Sequence, residues 1–169
     1  MTSTQPNAFW YRRFRGAVYV SAIGSLVWTV MMILPFAPFS YLPPIIAGGG
    51  PGTWFFLAYL LCLSIGVGGF GGLSNFVYTI EIHEGRSIDS TEMSVAFVLV
   101  GFGFAASCVL LALAGALGGY VLTINGASET TAQNLLSPYV YPITATTLLA
   151  VAGAALAISA MVRARWPSS

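Results

Sequence analysis

The chain has 169 residues, 57% hydrophobic and only 7% charged, with a formal net charge of +1 and a mean hydropathy of +0.83. So few charges cannot cover the surface of a water-soluble domain of this length, and so small a net charge leaves no electrostatic footprint for nucleic acid. The composition instead predicts an all-α membrane protein, a single domain over residues 1–169 built as a bundle of four transmembrane helices.

The first apolar run covers 17–34 and stops at Pro35. Arg12, Arg13 and Arg15 precede it much as a basic region precedes a signal peptide. The apolar stretch is long, however, and Pro35-Phe36-Ala37-Pro38 is a poor cleavage site, so an uncleaved span is expected. The segment 35–52 that follows carries no charge, but it holds several prolines and the aromatics Phe36, Phe39 and Tyr41. Such a loop is expected to lie in the headgroup region or against another protein.

After the breaker Gly48-Gly49-Gly50-Pro51-Gly52, a second span is predicted over 53–79. A polar loop of about 80–92 leads to a third span over 93–124. Asp89 is its expected N-cap, with Glu92 three residues on, and Asn125-Gly126 is its expected stop. The fourth span, 139–162, is read as starting with Pro138 or Pro142 in its first turn and ending before Arg163. The second and third spans exceed a bilayer's thickness, which implies tilt or extension into water.

The chain has six basic residues, and all are arginine: Arg12, Arg13, Arg15, Arg86, Arg163 and Arg165. With the N-terminus cytoplasmic, every one falls in a cytoplasmic segment, so both termini are expected inside. Trp10, Tyr11, Trp54 and Trp166 sit at predicted span ends, where amphipathic aromatics anchor to the interface. The absence of lysine and of glycosylation sequons points to a multi-pass protein of a prokaryotic plasma membrane.

Helices associate in lipid through close backbone approach, and small residues permit it. Gly68 and Gly72 in the second span and Gly115 and Gly119 in the third each make a G-x-x-x-G pair. Gly153 lies with Ala150, Ala154 and Ala157 along one face of the fourth. These faces are the expected helix-packing positions, either within a tight bundle or for other integral membrane subunits or a second copy. Cys62 and Cys108 lie in apolar runs and read as small buried hydrophobes.

Residues 66–71 fit the G-x-G-x-x-G pattern of dinucleotide-binding folds. They lack its strand–turn–helix setting and lie within one apolar run, which removes that reading. The polar loop holds Glu81, His83, Glu84, Arg86, Asp89 and Glu92. Glu81 and Glu84 fall on one helical face and His83 on another, so a single turn cannot present all three to a metal. The loop reads as a solvated boundary with scope for partner contact through Glu81, His83 and Glu84.

Within the spans, Asn75 with Ser74 and Tyr78 is the polar cluster to test, and there is no ionisable side chain away from the edges. Ion or proton translocation and haem ligation call for such groups. One histidine cannot make a bis-histidine haem site. No catalytic, cofactor-binding or metal-binding residue is therefore expected.

The run Pro51-Gly52-Thr53-Trp54-Phe55-Phe56-Leu57, continued through the glycines to Ser74-Asn75-Phe76, resembles helices of the haem-copper terminal oxidases and their small hydrophobic subunits. The catalytic histidines of that family have no counterpart, so the resemblance implies a non-catalytic accessory or assembly subunit of a respiratory complex. The alternative expectation is a carrier or pore for a neutral or apolar solute, which requires no charged ligand.

Overall fold

The computed structural model describes residues 8–166. Among them there is no strand, and four helices are long and apolar enough to cross a membrane. They are α1 (Phe9–Ile33), α3 (Gly52–His83), α4 (Ser90–Thr123) and α5 (Glu129–Arg165); a short helix α2 (Leu42–Ala47) lies between the first two. The fold is thus a helical bundle of the multi-pass membrane type.

Each helix is longer than its apolar run. α1 begins before its arginines, which are carried inside the helix by its own aromatic side chains. Arg13 lies over the Phe9 ring at 4.4 Å, and Arg15 donates to the Tyr19 and Tyr11 hydroxyls at 2.8 and 3.1 Å. Long guanidinium stems can follow an apolar helix while their heads reach water, so the charges do not terminate it.

The expected cap of α4 forms: the Asp89 carboxylate accepts the N–H groups of Thr91 and Glu92, both at 2.9 Å. Glu92 does not complete a reciprocal box, because its carboxylate is bonded to Arg163. At the far end Gly126 takes φ +64°, and Ala127 N–H bonds back to the Val121 carbonyl at 3.2 Å, so the chain leaves the helix through a glycine-dependent turn.

The fourth span departs most from expectation. It begins at Glu129, and Pro138 and Pro142 lie inside the helix rather than in its first turn. Ser128 supplies the cap by accepting Thr131 N–H at 3.3 Å. Ala132 and Leu136, one turn apart, are buried, and Leu136 packs beside Gly118 of α4. That contact holds the extra turns against α4. Breaking the helix at either proline would free more backbone groups in apolar surroundings than the proline itself removes.

α4 and α5 pack along their length, whereas α3 touches α4 near one end and α1 along much of its course. Where α3 parts from α4, toward the arginine-bearing end, aromatic side chains fill the gap. Phe14 meets Phe97 edge-on at 5.2 Å and Phe70 meets Phe104 at 5.8 Å, in a core completed by Met93, Val77 and Met161. Trp10 belongs to this core at 2% exposure instead of sitting in an interfacial belt.

At the opposite end α2 packs against α3 and α4 and buries Leu42 and Ile45. Gly49 and Gly50 make the α2–α3 turn with φ of +71° and +53°, a conformation that side chains resist.

Candidate functional site

The polar residues gather at the end of the bundle where α1 starts, α3 ends, α4 starts and α5 ends. All six arginines belong to this end. Glu81 is its centre. The residue is 5% exposed, and its carboxylate accepts the backbone N–H groups of Trp10 at 3.4 Å and Tyr11 at 3.1 Å. Those are the unpaired donors of the first turn of α1, whose N-cap residue Ala8 has no side-chain oxygen to offer. A carboxylate at a helix N-terminus is also favoured by the aligned peptide dipoles. Glu81 therefore caps a helix remote in sequence, and is not the solvated boundary residue that the sequence suggested.

Glu84 lies one turn further, between two guanidiniums. One oxygen stands 3.2 Å from Arg165 Nε and the other 3.8 Å from Arg86 Nε. Arg86 also donates to the carbonyls of Ala164, at 3.3 Å, and Arg165, two of the last acceptors of α5. Glu92 on α4 pairs with Arg163 of α5. The segment between α3 and α4 is pinned from below by Ile88, which is buried in the core. Three carboxylates thus tie α3, α4 and their connection to the ends of α1 and α5.

Each ion pair is partly exposed and individually weak, so the arrangement works as a geometric latch more than as a store of energy. A pocket of about 270 Å³ opens beside it, walled by Phe9, Trp10, Glu81, Arg86, Ser87 and Ser90.

His83 is exposed and does not join Glu81 and Glu84. Among the described residues no three His, Cys, Asp or Glu side chains converge as a metal site would require. The second polar group of the sequence also separates. Ser74 is buried, whereas Asn75 and Tyr78 point outward, and the Asn75 carboxamide makes no hydrogen bond among the described residues.

Two other sets of polar contacts stitch helices inside the apolar region. Ser107 of α4 lies 2.8 Å from the Thr146 hydroxyl and 3.1 Å from that of Thr147, both on α5. Between α1 and α3, Thr29 and Tyr59 hydroxyls meet at 2.9 Å, and Ser25 donates to Cys62 Sγ at 3.4 Å. Cys62 and Cys108 are both free.

The glycines singled out in the sequence divide into two sets. A Cβ on Gly115 would stand 2.1 Å from Phe55 N, one on Gly119 2.3 Å from an Ile45 methyl, and one on Gly153 2.6 Å from Val100 N. All three lie at close approaches inside the bundle. Gly68 and Gly72 meet nothing within 4 Å and look outward from α3, in register with Asn75 one turn on.

Fold and site together define a multi-pass helical membrane protein whose helix ends are latched by a charged cluster at one end. Compared with protein-family models, curated proteins and solved structures, the chain matches none.

Proposed function

We propose that this chain is a non-catalytic accessory or assembly subunit of a larger membrane complex, with a respiratory terminal oxidase as the leading candidate. The observation that carries the reading is the outward face of α3. Gly68 and Gly72 present bare backbone there, and Asn75, at the next turn, presents a carboxamide with no partner in the described chain. An amide facing hydrocarbon is costly. A second membrane helix packed on the two glycines would come close enough to bond it.

The same reading puts both termini on the cytoplasmic side of a prokaryotic plasma membrane. The clustering of all six arginines at one end supports that orientation.

Affinity purification from native membranes in mild detergent, with the visible spectrum recorded, tests the proposal. Co-purifying oxidase subunits with a haem spectrum are the expected result. A colourless protein that purifies alone would overturn it and favour the carrier for a neutral solute, whose own test is solute uptake by reconstituted vesicles.

A further inference from the structure

Between α3 and α5, at the arginine-bearing end, runs an apolar groove of about 270 Å³. Its floor is Ile80 and Met161, both buried. Its rims are Phe76 of α3, 63% exposed, and Ile158 and Val162 of α5, so it opens sideways to the surroundings of the bundle. At the end nearest the charged cluster it is closed by Arg165 and Trp166, with the guanidinium 5.2 Å from the indole centroid.

The charge at that end is unbalanced. One carboxylate, Glu84, serves two guanidiniums, Arg86 and Arg165. Arg86 is turned to the α5 carbonyls, whereas Arg165 engages Glu84 through Nε and makes no other side-chain hydrogen bond among the described residues. A hydrocarbon trough, ending at a half-exposed guanidinium with free donors beside an interfacial tryptophan, matches one ligand chemistry: an acyl chain joined to a phosphodiester.

The geometry points to a binding site for one anionic phospholipid, its acyl chain along Ile80, Ile158 and Val162 and its phosphate at Arg165. The surplus positive charge selects an anionic headgroup over a zwitterionic one, whose own cation would face Arg86 and Arg165. The groove adjoins the outward glycine face of α3 through Phe76, but its floor and its charged end are formed with α5 by Met161 and Arg165.

Native mass spectrometry of the full chain, released from mild detergent with equal phosphatidylglycerol and phosphatidylcholine of the same chains, reads the site directly. One phosphatidylglycerol is expected to stay bound in clear excess over phosphatidylcholine. Arg165→Gln is expected to abolish that preference. Arg163→Gln removes an equal charge two residues away, outside the groove, and is expected to keep it.

Val162→Trp fills the groove from an exposed rim position, so it leaves the core intact, and is expected to lose both lipids. Equal retention of the two lipids, equal loss in Arg163→Gln and Arg165→Gln, or undiminished binding in Val162→Trp would each overturn the assignment. Glycerol phosphate in place of lipid is expected not to bind; binding by it would reduce the site to a simple anion pocket and overturn it equally.

Discussion

The Glu81 carboxylate accepts the backbone N–H of Tyr11 at 3.1 Å, a bond between positions 70 residues apart that fixes where α1 begins against the end of α3. Its worth is that of a charged acceptor serving buried donors. Glu81→Ala strands the Trp10 and Tyr11 N–H groups and is expected to cost about 2–3 kcal/mol. Glu81→Gln keeps an acceptor oxygen but loses the charge that the helix dipole favours, and is expected to cost about 1 kcal/mol. Thermal unfolding in detergent should rank wild type above Glu81→Gln above Glu81→Ala. Equal midpoints for all three would show that the contact holds nothing.

The glycines of the bundle are expected to respond with opposite signs. Gly115→Ala and Gly153→Ala press a methyl against backbone atoms that cannot move aside, at 2.1 and 2.6 Å, and are expected to cost at least about 1–3 kcal/mol. Gly68→Ala and Gly72→Ala add theirs in open space, where alanine's helix preference of about 0.8–1 kcal/mol acts unopposed. Unfolding midpoints should therefore fall for the first pair and hold or rise for the second. Gly72→Leu should still fold but no longer co-purify with a partner. A folded Gly72→Leu that retains its partner would remove α3's outward face from the proposed interface.

The apolar runs and the breakers between them were enough to place four membrane-crossing helices, because lipid forces every backbone group into a helix and charge marks the ends. The same logic misjudged the prolines. Pro138 and Pro142 read as helix starts on local grounds, yet Ala132 and Leu136 upstream bury themselves against α4, and tertiary contact outweighed the local rule. Ala132 and Leu136, spaced by one turn behind the capping Ser128, were the available signal.

The roles of the polar residues were less legible, since they rest on pairings between distant segments. Nothing near Glu81 in sequence indicates that its partners are the N–H groups of α1. Likewise nothing near Gly115 says that it meets Phe55, whereas Gly72, in the same motif, meets no one. Spacing identifies a face, and only the arrangement of helices says whether that face is covered.

Ser107 joins α4 to α5 through the Thr146 and Thr147 hydroxyls. Ser107→Ala is expected to lower stability by about 0.6–2 kcal/mol, the range for hydroxyl bonds between membrane helices. The two threonines keep bonds to the carbonyls of their own helix, at 2.8 to 3.0 Å, which holds the loss toward the lower figure. Combining Ser107→Ala with Thr146→Val and Thr147→Val should cost less than the sum of the single changes. Strict additivity would mean that the three hydroxyls do not form one network.

Trp28 supplies the opposite case. Its ring stands edge-on to Phe55 at 5.2 Å and beside Tyr59 at 6.2 Å, but its Nε1 is buried with no hydrogen-bond partner among the described residues. The neighbouring Tyr59 hydroxyl meets Thr29 at 2.9 Å and makes no bond to the indole. A buried donor without an acceptor costs about 1–3 kcal/mol, and the smaller ring in Trp28→Phe gives up a comparable amount of packing. The two effects offset, so Trp28→Phe is expected to leave the unfolding midpoint unchanged or slightly raised. Thr29→Val, which strands the Tyr59 hydroxyl, is expected to lower it by about 1–3 kcal/mol. Should Trp28→Phe prove as damaging as Thr29→Val, the indole N–H must have an acceptor in the membrane, and a bound carbonyl-bearing molecule beside Phe55 becomes the candidate.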